Sequence, residues 1–207
     1  KFYSEKIIYM PNTYQVNDST LKASEKKFDR KELGLPENGT VFCSFNQSYK
    51  ILPDMFSIWT KIIKNVDNSV LWLMTDNQIT KRNLKKQFTK NDIKEDRLIF
   101  ASRMSHGEHL SRLKLADIFL DTFPYNAHTT ASDSLRVGLP VVTLKGHSFA
   151  SRVASSLLNS LDLKDLITNN RDEYETLAIK LAKDTSFMKE IKKKLINNIL
   201  SKPLFDT

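Results

Sequence analysis

Short apolar runs alternate with helix-length amphipathic segments from Val41 onward, and this predicts an α/β chain built on a doubly wound parallel sheet. Two further observations agree. The runs are continuous rather than alternating, as strands buried on both faces require. Two of the turns that follow them are unusually polar, as the ligand-binding end of such a sheet is.

Taken in order, residues 1–30 read as a lead-in or linker and residues 31–207 as the domain. Ile7, Ile8, Tyr9 and Met10 precede Pro11, and Asn17 to Arg30 is mostly polar. The predicted strands are Val41 to Phe45, Ser69 to Met74, Arg97 to Ala101, Ile118 to Asp121 and Pro140 to Leu144, each short, apolar and bounded by polar or turn residues. Between them, Pro53 to Val66 begins with proline in a first-turn position and spaces Met55, Ile58, Trp59, Ile62 and Ile63 along one helix face. Gln78 to Thr89, His106 to Leu115, Thr129 to Val137 and Phe149 to Leu158 read as helices in the same way. Beyond the fifth strand only helices are expected, with Asp172 to Leu200 packed back on the sheet.

Composition narrows the function classes. With 40% apolar and 27% charged residues over 207 positions, the chain can bury a full core without covalent staples. The single Cys43 excludes an intrachain disulfide and a multi-cysteine zinc site, which fits a cytoplasmic setting. No apolar run approaches the roughly 20 residues of a membrane span. The net charge of +8 suits an anionic partner, but the lysine clusters fall in helical segments as solvated faces, with no nucleic-acid signature. Neither nucleic acid nor membrane is therefore expected as a partner. Only five glycines are present and G-x-G-x-x-G is absent, which argues against a nicotinamide or flavin protein.

The two polar turns are Phe45-Asn46-Gln47-Ser48-Tyr49-Lys50 and Asp121 to Thr130. The second runs into a helix whose free N–H groups and positive dipole end favour an anion. Backbone N–H groups and hydroxyls of Thr129 and Thr130, the His128 imidazole and the Lys50 ammonium together make a phosphate cradle without glycines. The same three helix-end residues also suit plain capping, and spacing alone leaves both roles open. Asp133, one turn into that helix, can look toward the same ligand. His106 and His109, with Glu108 and Arg112, follow the third strand; no third ligand has zinc-like spacing, so surface or capping roles are expected there. A Ser132-His128-Asp133 triad is excluded because adjacent helix residues point apart. No D-x-D pair offers itself to a nucleotide-bound metal.

Several ordered motifs carry a resemblance. They are Phe42 to Lys50, Ser69-Val70-Leu71-Trp72-Leu73, Leu115-Ala116-Asp117, His128-Thr129-Thr130, Val141-Val142-Thr143-Leu144 and Ala150-Ser151-Arg152-Val153-Ala154, with a closing Pro203-Leu204-Phe205. Together, from about Tyr3 to Thr207, the chain resembles the O-linked N-acetylglucosamine transferase (SPINDLY-like) family. The resemblance implies the C-terminal, Rossmann-like half of a glycosyltransferase-B fold that binds the UDP part of a sugar donor. It implies Gln47 and Lys50 at the phosphates with His128, Thr129 and Thr130, His109 on the uracil with Arg112 nearby, the Arg103-Met104 backbone at the base edge, and Asp133 on the ribose. His106 stands where the family often has lysine, and Ala127 where it commonly has glycine.

The expected function is the donor half of an inverting transferase moving N-acetylglucosamine from UDP to serine or threonine. Lys50 would stabilise the departing diphosphate without a metal or other cofactor. Acceptor proteins would bind through an N-terminal lobe that this chain lacks, so it should bind UDP yet transfer little alone. The alternatives are a related lobe using GDP-fucose or UDP-glucose, and a nucleotide-binding or interaction module that never catalyses.

Overall fold

The structure is a computed structural model that describes residues 4–206. Tyr3 and Thr207, the ends of the stretch that carries the resemblance, lie outside the described residues, as do Lys1 and Phe2. Thr40–Ser44 (β1), Ser69–Met74 (β2), Leu98–Ala101 (β3), Ile118–Leu120 (β4), Val141–Leu144 (β5) and Ile167–Thr168 (β6) form one parallel sheet in the order β3-β2-β1-β4-β5-β6. The strand order reverses between β1 and β4, where Phe42 pairs with Ile118 and Cys43 with Phe119.

β6 corrects the expectation that only helices follow the fifth strand. It is two residues long, lies at the sheet edge beside Thr143 and Leu144, and is too short to show a period.

The helices are Pro53–Asn65 (α1), Gln78–Lys90 (α2), His106–Leu113 (α3), Thr129–Arg136 (α4), Val153–Ser160 (α5), Arg171–Lys183 (α6) and Thr185–Ser201 (α7). α1 starts on Pro53, whose fixed φ suits a first turn, and carries Asp54 near the positive end of its dipole. Asn77, Asn170 and Asp184 cap α2, α6 and α7 by accepting from Thr80 N, Glu173 N and Phe187 N. α5 begins four residues later than predicted, because Ser148 to Arg152 closes a hydrogen-bonded turn, with Ser151 N donating to Ser148 O and Arg152 N to Phe149 O.

α1 and α6 pack on each other over one face, α6 also lying against β4 and β5. α3, α4 and α5 pack in sequence on the other, and α7 bridges α6 and α4. The core between them includes Phe42, Trp59, Leu71, Trp72, Phe119 and Val141, each at most 1% exposed. α6 and α7 contribute Tyr174, Ala178, Leu181, Ile191 and Leu195, so the stretch Asp172 to Leu200 does pack back on the domain.

Among the described residues, no helix is long and apolar enough to cross a membrane. The lead-in lies on the helices. Asn17 is buried and donates from Nδ2 to Leu204 O, Ser24 N donates to Gly107 O, and Arg30 reaches Leu115 O and the Asp117 carboxylate.

A buried relay joins both α1 and α6 to the end of β4: Trp59 Nε1 donates to Tyr174 OH at 3.2 Å, and Tyr174 OH donates to Asp121 O at 2.9 Å. Tyr174→Phe removes both bonds and leaves the indole N–H without an acceptor. It should lower the stability of the chain by about 1–3 kcal/mol, read as a fall in the urea midpoint at unchanged slope.

Candidate nucleotide-binding site

The reversal between β1 and β4 brings the two polar turns together at the carboxyl ends of the strands, where such sheets place ligands. A wider hollow, about 1030 Å³, lies among Gly34, Asn68, Asp92 and Arg97 at the opposite end of the sheet, away from this chemistry.

The loop entering α4 is built on Asp121. Its carboxylate accepts from Thr122 N (2.7 Å), Ala127 N (2.6 Å) and Thr143 Oγ1 (2.7 Å), and burial raises its pKa to about 7 against the pull of those three donors. Asn126 donates to Thr122 O at 2.8 Å, closing the same loop from within. Asn46, from the β1 turn, donates to Thr122 Oγ1 at 2.8 Å and accepts from Thr130 Oγ1 at 2.7 Å, so the two turns are bonded to each other. The Thr130 hydroxyl proton is thereby committed to Asn46, and only its N–H is left for an anion. The first intrahelical bonds run from Ala131 N and Ser132 N to His128 O, so the N–H groups of Thr129 and Thr130 precede them at the helix end. Thr129 is exposed there.

Lys50 reaches this end from the facing turn. Its Nζ donates to Asn126 O at 3.1 Å and sits 3.7 Å from the centre of the Tyr125 ring. Burial lowers its pKa, and Asp121 pulls it back up. His128 is the first flanking residue of α4 but makes no side-chain cap. Burial, and then the nearby Lys50 charge, lower its pKa. Gln47 is exposed at the start of the short turn Ser48–Lys50, its carbonyl accepting from Lys50 N.

Beside the cradle is an open pocket of about 270 Å³, shared by Phe45, Met104, His106, His109, Thr130 and Asp133. This is near the low end of the roughly 300–1,000 Å³ of small-molecule sites, enough for one ring system. Arg112 is its foundation. The side chain is 1% exposed, stacks 4.9 Å from the Phe45 ring centre, and donates to Ser102 O and, at 3.0 Å, to His109 Nδ1. Because arginine only donates, His109 Nδ1 accepts and its proton resides on Nε2. Burial, then the charge of Arg112, push the His109 pKa down to about 4, so the ring is neutral in the physiological range.

His106 keeps the exposed surface position expected of it but does not cap α3. The cap of α3 is Ser105, in a reciprocal box with Glu108, while His106 turns its Nε2 to Asp133 Oδ2 at 3.0 Å and lines the pocket. Burial raises the Asp133 pKa, and the bond to His106 opposes that shift. The predicted residues thus fall into two groups, with Lys50, His128 and Thr129 at the cradle, Met104, His109, Arg112 and Asp133 at the pocket and Thr130 in both, while Gln47 stands exposed on the turn after β1. Sequence reasoning missed Tyr14, whose OH lies 2.8 Å from His128 Nδ1, since nothing near it in the chain signals a site.

Residues 22–207 match the pattern of glycosyl transferase family 41. The chain belongs to that family. It is 36% identical, over 99% of its length, to the probable UDP-N-acetylglucosamine-peptide N-acetylglucosaminyltransferase SEC of Arabidopsis thaliana. It is 37% identical, over 86%, to the UDP-N-acetylglucosamine-peptide N-acetylglucosaminyltransferase of Caenorhabditis elegans. The chain spans only 22% and 15% of these relatives. Among solved structures it superposes on a mutant of the O-GlcNAc transferase of Thermobaculum terrenum with a TM-score of 0.76 and 30% identity, covering 79% of this chain and 32% of that one. The fold of this family 41 chain is a Rossmann-like parallel sheet with flanking helices, of the kind found in GT-B glycosyltransferases.

Asp121 gives the site a pH signature. In the unfolded chain a carboxyl titrates near ~3.9, so between about pH 4 and 7 the native state holds a proton that the unfolded state has lost, and the Asp121 contribution to stability falls as pH rises before levelling off. Asp121→Asn should flatten that slope in urea titrations across pH 4–8, since the amide accepts from Thr122 and Ala127 and offers its NH₂ to Thr143. Asp121→Leu, which strands three donors, should cost on the order of 3 kcal/mol or more.

Proposed function

We propose that this family 41 chain is the donor-nucleotide half of a protein O-glycosyltransferase that moves N-acetylglucosamine from UDP to serine or threonine with inversion. The observation that carries the reading is the pairing of an anion cradle with a ring-sized pocket. Lys50, His128 and the open end of α4 converge beside the space held by His109, Arg112 and Asp133. Its support from relatives is the wording of their names, which specify UDP-N-acetylglucosamine and peptide.

In this reading the base lies in the pocket against His109, with the Met104 backbone at its edge and Arg112 fixing the histidine from beneath. The ribose hydroxyls meet Asp133. The diphosphate meets the N–H groups of Thr129 and Thr130, His128 Nε2, Lys50 and, at the rim, Gln47. When the bond from the sugar to the diphosphate breaks, the acceptor oxygen forms its new bond on the opposite face of that carbon. The negative charge growing on the leaving diphosphate is met by Lys50, poised on the Tyr125 ring, and by the α4 dipole. These groups do the work of a metal ion, and neither metal nor other cofactor is needed. The acceptor protein and the group that takes its hydroxyl proton belong to a second lobe outside this chain, so the chain alone binds donor and transfers nothing.

Calorimetric titration in chelator tests this. UDP and UDP-N-acetylglucosamine should bind, and GDP should not. Lys50→Ala and His128→Ala should each weaken UDP by roughly 10- to 100-fold, the range of a charge-assisted hydrogen bond. A folded wild-type chain that ignores UDP, or prefers GDP, overturns the donor assignment.

A further inference from the structure

Resting on the diphosphate reading above, we propose that Tyr14 is a positioning residue for donor binding: its hydroxyl fixes the His128 imidazole in the tautomer whose Nε2–H is presented to the diphosphate.

His128 has two ring nitrogens in different surroundings. Nδ1 is 2.8 Å from Tyr14 OH. Nε2 is buried and has no hydrogen-bond partner among the described residues. The imidazole is framed by the rings of Tyr14, Tyr125 and Phe149, with centres 5.9, 5.4 and 6.3 Å away, so it has little room to turn. It does not cap its own helix, and the phenol is the group that orients it.

A neutral imidazole carries one proton on either nitrogen, and the hydrogen bond at one decides the state of the other. A phenol is a better donor than acceptor, and burial keeps both partners in the needed form, raising the Tyr14 pKa and lowering that of His128. Tyr14 O–H therefore donates to Nδ1, and the ring proton sits on Nε2. The other tautomer would turn a lone pair from Nε2 toward an anion held at the α4 end. Lys50, the charged neighbour that depresses the His128 pKa, favours the neutral ring as well.

The segment that carries Tyr14 is pinned on both sides. Ser160 Oγ donates to Asn12 O at 3.1 Å, Asn17 donates to Leu204 O at 2.9 Å, and Ser132 Oγ donates to Asn17 Oδ1. Tyr14 also meets Phe149 edge-on at 5.0 Å between ring centres. The lead-in is thus a strap that sets one proton in the cradle 114 residues away.

The test combines ¹⁵N spectra of histidine-labelled chain with UDP titrations of wild type, Tyr14→Phe, His128→Ala and the double variant. The ligand-free wild type should show His128 protonated at Nε2 and accepting at Nδ1, and Tyr14→Phe should show a mixture of tautomers. Tyr14→Phe should weaken UDP by about 3- to 10-fold. On the His128→Ala background it should have no further effect, because no ring is left to orient. A wild-type ring protonated at Nδ1, or a Tyr14→Phe chain that binds UDP like wild type, overturns the role of Tyr14 and leaves the proposed function standing. A wild-type chain that binds no UDP removes the proposed function and this role with it. The wild-type spectrum reads the hydrogen bond without any variant, so a loss of folding in Tyr14→Phe leaves the tautomer decided.

Discussion

Asp121 is the constraint on which the site depends. It directly follows β4, the strand of the second half-sheet that pairs with β1, and its buried carboxyl holds the backbone on both sides of the 122–127 turn while also accepting from β5 through Thr143. Its own carbonyl takes the Tyr174 hydroxyl from α6. Sheet, helix layer and loop therefore meet at one residue. A carboxyl in so dry a place is tolerated because three donors face it, and their direction sets where α4 begins and where its open end points.

From that anchor the remaining geometry follows by contact. The turn places Asn126 O for Lys50 and Tyr125 beneath the ammonium. Asn46 then bonds across the reversal to Thr122 and Thr130, so the two turns cannot drift apart without breaking a buried network. Arg112 plays the matching part at the pocket, where a buried guanidinium between Phe45 and Ser102 fixes which nitrogen of His109 is free. In both places the direct contacts of the charged group are neutral dipoles and ring faces rather than a salt bridge, which leaves it responsive to an incoming anion.

Much of this was legible in the sequence, and the reasons are physical. Strands covered on both faces are mostly apolar without alternation, so β1, β2 and β5 stand out in the predicted runs Val41 to Phe45, Ser69 to Met74 and Pro140 to Leu144. The cradle was visible because helix-capping residues and a lysine ended up in turns that follow strands. β6 was not visible, since two residues at an edge carry no period, and the start of α5 was hidden by a side-chain-bonded turn that looks like helix in composition. The orientation of His106 and the reach of Tyr14 were hidden for another reason. Each is decided by a partner far along the chain, Asp133 and His128, and no local pattern encodes such a meeting.

The reversal between β1 and β4 has one more consequence. One wall of the cradle hangs from β1 and the other from β4, so an occupant touching both is a clasp across the seam where the two halves of the sheet join. Opening that seam dismantles the cradle and the fold together. Occupancy would then register as resistance of the whole domain to unfolding, growing with the logarithm of ligand concentration, rather than as the stiffening of a loop.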